Sequence, residues 1–350
     1  MHGHRSSTIT GWGMYAPEKV LTNEDLAEIV DTSDEWIRTR SGIRERHVVG
    51  PEEHTSTMAA AAGQQAMDRA GVTADDLDLI LIATSTPDYL TPPVSSQVQH
   101  LLGAERAGAM TLVVGCTGFV YALVTAHQFV ATGAADAVLV VGAEVISRNL
   151  DWTDRATCVL FGDGAGAVVV QPTEQEAGVL AHVLGSEGAG AEHLIQPSGG
   201  TRNPPTPERL EAGENFLRMN GREVFKFATT KMVEALEEVM QDAGITSDAI
   251  DLFIPHQANA RIIEFAAQRA GLPPEKVVMN VDRYGNTSAA TIPIALAEAF
   301  DASRAKPGDT LALVGFGAGL TWAACIYQLA GAPSAETVPA DTRAVEGFIA

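Results

Sequence analysis

Two apolar rhythms run through the chain. Runs of aliphatic and β-branched residues, roughly four to eight long, read as buried strands, while apolar positions three and four apart read as one-faced helices. Ser7 to Gly13 is the first strand-forming run. Thr22-Asn-Glu-Asp-Leu26 starts a helix, and Asp31-Thr-Ser-Asp-Glu-Trp36 puts capping residues before a short amphipathic helix ending near Arg40-Ser-Gly42. Ser56 to Ala70 predicts an alanine-rich helix, Asp78 to Ala83 a buried strand, and Val94 to Leu102 a further helix. Thr111 to Val114 is a strand that stops at Gly115, and a helical rhythm through Phe119, Ala122, Leu123 and Ala126 follows Gly118. Ala137 to Gly142 is another strand, and Phe161 to Val170 is a glycine-rich turn entering a strand. Strands flanked by helices predict a mixed sheet covered on its faces.

The second half repeats the first. Ala70-Gly-Val-Thr-Ala-Asp-Asp-Leu-Asp-Leu-Ile-Leu81 matches Ala243-Gly-Ile-Thr-Ser-Asp-Ala-Ile-Asp-Leu-Phe-Ile254 at an offset of 173 (Ala70 to Ala243). Ala135-Asp-Ala-Val-Leu-Val-Val-Gly142 matches Gly308-Asp-Thr-Leu-Ala-Leu-Val-Gly315 at the same spacing, which argues for a duplicated βα unit. Two such halves, 1–171 and 172–330, would pack with pseudo-twofold symmetry and hold a site at their junction. Residues 172–215, rich in glycine and proline, read as an inserted loop region, and 331–350 as a polar tail without structure.

Composition narrows the function classes. The chain has 350 residues, 46% of them hydrophobic and 33 of them glycine, which suits a compact α/β protein of about two domains or one large duplicated one. Neither an apolar run of ~18 residues nor an apolar N-terminal segment is present, so the expected setting is soluble and cytoplasmic, with no membrane partner. Three scattered cysteines, Cys116, Cys158 and Cys325, support neither a disulfide framework nor a CxxC metal site. A net charge of −21 speaks against a nucleic-acid partner, because phosphate binding needs a cationic face.

Cys116 is the first candidate for chemistry. It sits where a strand turns into a helix, where free backbone N–H groups and about half a positive charge would stabilise a thiolate. The plain alternative is an inert core thiol. Pro255-His-Gln-Ala-Asn259 and Gly285-Asn-Thr-Ser-Ala-Ala290 add His256 and Asn286. If the halves correspond, Cys116 and Asn286 each follow a strand and precede a helix, and His256 ends the strand matching Asp78 to Ile82. A cysteine with His and Asn from elsewhere in the chain is a known nucleophile set. Taken singly, His256 also reads as a structural histidine, and Asn286 as a turn or cap residue.

Together these motifs resemble β-ketoacyl-acyl-carrier-protein synthase III, a condensing-enzyme family of the thiolase superfamily. The carrying stretches are Asp31 to Trp36 with Arg40 to His47, Gly115-Cys-Thr-Gly-Phe119, Phe161-Gly-Asp-Gly-Ala-Gly166, Pro255 to Asn259 and Gly285 to Ala289. They run in the family's order and cover nearly the whole chain. The resemblance implies a five-layered α-β-α-β-α fold of two duplicated halves, a homodimer, and no metal or cofactor. It implies an acyltransferase in which Cys116 is loaded from an acyl-CoA primer. His256 and Asn286 then support decarboxylative condensation with malonyl-acyl carrier protein, starting fatty acid synthesis. The N–H groups of Cys116 and Ala318 would form the oxyanion hole, and Phe316 would keep the site dry. Trp36, Arg40 and Arg155 match CoA-binding positions, although alone they read as a core indole and solvated arginines. Thr91 matches a primer-pocket position, where a small side chain points to longer or branched primers. Arg261, Lys226 and Arg222 match the carrier-protein patch, with Arg222 standing where some relatives have asparagine. A sibling enzyme of specialised, polyketide-type metabolism with the same Cys, His and Asn is the rival.

Overall fold

The computed structural model describes residues 5–331. The tail expected at 331–350 therefore lies outside the described residues except for Gly331. Two sheets form the frame. In the first, the strands run in the order Ser6–Tyr15, Asp163–Thr173, Val138–Val145, Leu79–Ala83, Gly108–Leu112. The last three pair in parallel, and Asp163–Thr173 is antiparallel to both its neighbours. In the second the order is Leu252–Pro255, Thr310–Gly317, Thr321–Gln328, Gly178–Ser186, with only the first pair parallel.

The duplication is visible in these orders. Leu79–Ala83 and Val138–Val145 correspond to Leu252–Pro255 and Thr310–Gly317, the counterparts of the sequence matches. The strand Gly178–Ser186 takes the place in the second sheet that Ser6–Tyr15 takes in the first. That strand lies inside 172–215, which had read as an inserted loop region. It is an edge strand with Leu180 and Leu184 exposed and, of its apolar side chains, only Val183 buried, so it gives little periodic signal. A second difference concerns Asn286, which follows the short helix Val281–Tyr284 rather than a strand.

Alternation along the strands builds five layers. Ile80 and Ile82 pack outward with Met58, Ala62 and Val98, from the helices Thr55–Ala70 and Val94–Leu101. Leu79 and Leu81 point inward to a central core. There the helices Gly118–Ala131 and Thr291–Asp301 are sandwiched between the sheets through Val120, Leu123, Ile292 and Leu296. From the second sheet Leu311 and Leu313 reach the same core, while Ala312 and Val314 face Leu236 and Ile262 on the outer helices Gly221–Asp242 and Ala260–Arg269. The α-β-α-β-α arrangement is thus a direct reading of period-2 patterning with apolar residues on both faces.

The two halves touch closely where the central helices begin. A Cβ at Gly142 would lie 2.2 Å from the Ala289 carbonyl oxygen, so the first sheet approaches the turn before Thr291 backbone to backbone. Gly142→Ala should destabilise the protein by about 3 kcal/mol. Thermal unfolding followed by circular dichroism checks this, and an unchanged midpoint would show that the approach is not tight.

Candidate active site

Cys116 lies in a single 3₁₀ turn, Gly115–Thr117, at the mouth of the Gly118–Ala131 helix. Gly115 has φ +57°, and a Cβ there would meet the Ala318 backbone oxygen at 2.9 Å. Gly317 is as constrained by space, because a Cβ would stand 2.7 Å from the Cys116 nitrogen and 3.2 Å from Sγ. The end of the Thr310–Gly317 strand thereby lies directly against the sulfur. The N–H groups of Cys116 and Ala318 both hydrogen-bond toward Sγ. They converge on the atom that would carry the acyl group.

His256 follows the strand Leu252–Pro255, and its N–H donates to the Val314 carbonyl at 2.7 Å. Gln257 clamps the turn: its Nε2 donates to the Pro255 and Val278 carbonyls at 2.8 and 3.0 Å, and its Oε1 accepts from Asn280 N–H. Asn259 caps the Ala260–Arg269 helix, and its Nδ2 reaches the Arg40 carbonyl at 3.0 Å. The Phe316 ring meets the imidazole edge-on, centroids 5.2 Å apart. Thr291 Oγ1 is 2.7 Å from Nδ1 and 3.0 Å from the Ser288 carbonyl.

Asn286 is held by both halves. Its N–H donates to the Leu160 carbonyl at 2.9 Å, and its carbonyl accepts from Gly162 N–H at 3.1 Å. Its Oδ1 accepts from Ser288 N–H at 2.8 Å, which turns the amide Nδ2 toward the cavity. Ahead of it Arg283 grips Glu298 through two bonds of 2.5 and 2.8 Å, tying the short helix to the central Thr291–Asp301 helix.

Cys116, His256 and Asn286 line one cavity, with Phe161, Phe316 and Gly317 as neighbours. All three are nearly sealed, at 6%, 1% and 7% exposure. Burial pushes the Cys116 thiol up to about 12, against weaker opposing pulls from Ser288 and the two N–H groups, and Glu144 pushes it further up. The helix entrance therefore does not suffice to hold a thiolate, contrary to the sequence expectation, because desolvation of a buried anion outweighs half a dipole charge. Burial also pulls the His256 ring down to about 3. The resting pair is a neutral thiol and a neutral imidazole.

Trp36, Arg40 and Arg155 stand at the rim of the same cavity. Both guanidinium groups lie over the indole, 4.5 and 5.1 Å from its centroid, and Arg155 is further held by the Asp31 carbonyl at 2.6 Å. Arg222 and Lys226 are exposed one turn apart at the start of the Gly221–Asp242 helix, whose Gly221, Val224 and Phe225 line the cavity. Arg261, exposed, lies over the Phe225 ring at 5.7 Å. Thr91 differs from expectation. Within one chain it does not line the cavity but stands exposed beside Leu90, itself 84% exposed. Sequence reasoning gave no role to Ser288, Thr291 or Gln257, although Ser288 and Gln257 lie within the motifs quoted. It also passed over Glu144, a carboxylate inside an apolar run. Among the described residues no group of three metal-ligating side chains occurs, and no helix is long and apolar enough to cross a membrane.

Two family profiles fit these features: 3-oxoacyl-[acyl-carrier-protein] synthase III over residues 110–188 and its C-terminal domain over 240–329. β-Ketoacyl-[acyl-carrier-protein] synthase III of Symbiobacterium thermophilum is 54% identical over 90% of this chain and 96% of its own length. The chain belongs to the β-ketoacyl-[acyl-carrier-protein] synthase III family. Members of the family are acyltransferases. The crystal structure of the Thermus thermophilus synthase III matches with a TM-score of 0.86 and 48% identity, over 93% of this chain and all of that one. The priming β-ketosynthase of the R1128 polyketide pathway is 34% identical with a TM-score of 0.87, over 95% of this chain and 99% of that one. The synthase III fold is thus shared well beyond close sequence likeness.

A ring held down to about 3 stays neutral at working pH. The His256 ring proton resonance, identified by its loss in His256→Gln, should keep its neutral position from pH 8 to pH 5. Movement with a midpoint near the free-histidine value would place the imidazole in water. The sign for stability follows: the unfolded ring takes up a proton at the ordinary value and the folded ring only near 3, so this ring costs stability as pH falls through that window.

Proposed function

We propose that this protein is a β-ketoacyl-acyl-carrier-protein synthase III that loads an acyl-CoA primer on Cys116 and condenses it with malonyl-acyl carrier protein. The observation that carries the reading is that Cys116, His256 and Asn286, from three separate turns and each buried, line one largely apolar cavity with a cationic rim. Sibling chemistry on a polyketide pathway is the weaker fit, since relatives of about 50% identity carry the synthase III name and the polyketide enzyme is 34% identical.

In the first step the sulfur attacks the thioester carbonyl, CoA leaves, and a Cys116 thioester remains. The oxygen that becomes negative would be met by the N–H groups of Cys116 and Ala318, which already converge on Sγ. In the second step malonyl thioester loses CO2, and the enolate so formed attacks the acyl carbonyl to give the 3-oxoacyl product and restore the thiol. Enolate charge gathers on the thioester oxygen. Asn286 Nδ2 and His256 Nε2–H would donate to it, the latter when the Thr291 hydroxyl turns its proton from the Ser288 carbonyl to Nδ1 and leaves the ring proton on Nε2. A neutral imidazole suits this role, because it donates without adding a buried cation. Phe316 and Phe161 exclude water that would quench the enolate.

Trp36, Arg40 and Arg155 would hold CoA, the indole by stacking and the arginines by pairing with phosphates. Arg222, Lys226 and Arg261 would receive the acidic carrier protein. Met110 and Val113, in and just after the open edge strand Gly108–Leu112 of the first sheet, are exposed, as are Tyr89 and Leu90 in the loop before the helix Val94–Leu101. A second copy packed on that edge would form the homodimer and carry Thr91 into the partner's primer pocket.

Single-turnover assays with intact-protein mass readout separate the two steps. Cys116→Ala should show no acyl adduct. His256→Ala and Asn286→Ala should still acylate, and should lose on the order of 10² in decarboxylation, as the removal of one donor from such a site does. Equal loss of both steps in all three variants would contradict this division of labour. Arg261→Glu should raise KM for malonyl-acyl carrier protein and leave acylation by acyl-CoA unchanged; an unaltered KM would remove Arg261 from the docking patch.

A further inference from the structure

Glu144 is fully buried in the strand Val138–Val145, and no step above uses it. A carboxylate taken out of water is costly unless donors meet its oxygens. Here the donors come from both halves of the molecule. From the first half, Thr86 Oγ1 donates at 2.6 Å, Thr84 Oγ1 at 3.2 Å, and Ser85 N–H at 3.1 and 3.2 Å. Thr86 Oγ1 accepts from Val145 N–H at 2.8 Å and Thr84 Oγ1 from Thr86 N–H at 3.0 Å, which leaves both hydroxyl protons for the carboxylate. From the second half Ser288 Oγ donates at 2.9 Å.

The same serine holds the amide of Asn286. Its N–H donates to Asn286 Oδ1 at 2.8 Å, and that bond decides which end of the amide meets the cavity. Ser288 has φ +50°, a conformation a serine keeps only where its surroundings impose it. The bond to Glu144 is one such constraint, because it ties the serine to a strand that is buried along its whole length. A bond to an ionised acceptor is about twice as strong as one between neutral groups.

We propose that Glu144 is a positioning residue for the decarboxylation step: it grips the Ser288 hydroxyl, and Ser288 in turn holds the Asn286 amide with Nδ2 toward the malonyl thioester oxygen. Neither Glu144 nor Ser288 touches the substrate, and neither exchanges a proton with it. Without the grip, Ser288 relaxes toward an ordinary backbone, its N–H leaves Asn286 Oδ1, and Nδ2 no longer faces the oxygen on which enolate charge develops. Loading of Cys116 makes no use of the Asn286 amide, so the effect is confined to the second step.

This inference rests on the proposed function, and the test separates the two. Wild type, Ser288→Ala, Glu144→Gln, Asn286→Ala and the double variant Asn286→Ala with Ser288→Ala are each acetylated with acetyl-CoA, timed by intact mass. The isolated acetyl-enzyme is then mixed with malonyl-acyl carrier protein, and CO2 release is timed. Ser288→Ala removes the hydroxyl, and Glu144→Gln keeps the size of the side chain but loses one acceptor oxygen. Both single variants should release CO2 about tenfold more slowly at saturating malonyl-acyl carrier protein, the size expected for one lost hydrogen bond to a charged group. KM for malonyl-acyl carrier protein should stay within about twofold, and acetylation should keep about a third or more of the wild-type rate. On top of Asn286→Ala, Ser288→Ala should cost less than about a further twofold, because the amide it serves is already gone. CO2 release near the wild-type rate in either single variant, acetylation slowed to the same degree, or a full further tenfold loss in the double variant overturns the positioning role. If Glu144→Gln does not fold, Ser288→Ala and the double variant decide. A wild-type enzyme that acetylates on Cys116 and releases no CO2 instead overturns the proposed function.

Discussion

Ser288 holds the site together with three of its groups at once. Its N–H orients the Asn286 amide, its carbonyl is 3.0 Å from the Thr291 hydroxyl that meets His256, and its hydroxyl donates to the buried Glu144 at 2.9 Å. A backbone that points all three correctly has φ +50°, a region non-glycine residues seldom occupy. Such a conformation survives where its surroundings over-determine it. Here they do: the first sheet presses on Ala289 through Gly142, and the Arg283–Glu298 pair fixes the approach. The uncommon backbone at one serine is how residues from both halves come to address one sulfur.

Desolvation sets the electrical state of the cavity. Sealing sulfur and imidazole away from water leaves both neutral, so neither an ion pair nor a helix dipole drives the chemistry at rest. In the proposed reaction charge would arise only on the substrate oxygen, where fixed donors would meet it in a medium of low dielectric. The cationic groups are kept at the rim, where Arg40 and Arg155 lie over Trp36 and remain in contact with solvent. On the proposed reading the arrangement would separate binding, by charge at the surface, from bond-making, by neutral dipoles inside.

Much of this was legible in the residue pattern. Buried strand runs such as Leu79–Ala83 and the 173-residue offset foretold the doubled sheets, because fully buried strands and close repeats leave plain marks. Cys116 and His256 stood out because each follows an apolar run at a turn, although the strand before Cys116, Gly108–Leu112, is an edge strand and not a buried one. Edge burial hid the strand Gly178–Ser186, whose outward side chains are partly exposed. The state of the thiol was misjudged because the sequence displays the helix start but not the depth of burial. Ser288 could not be found at all, since a positive φ in a serine follows from its neighbours in space. Glu144 could have been, as a lone carboxylate in the run Val140-Val-Gly-Ala-Glu-Val145 has to be either solvated or matched by donors. Thr91 lies outside the cavity of a single chain, and only the proposed second copy would give it the role the resemblance implied.

A crystal structure of the enzyme after exposure to acetyl-CoA addresses the central claim most directly. The account predicts an acetyl group on Cys116 Sγ, its carbonyl oxygen about 3 Å from the N–H groups of both Cys116 and Ala318. His256 Nε2 and Asn286 Nδ2 should face the empty space beyond the acetyl carbon, with Ser288 unmoved. An acetyl oxygen turned away from those two N–H groups, or His256 and Asn286 directed elsewhere, would contradict it.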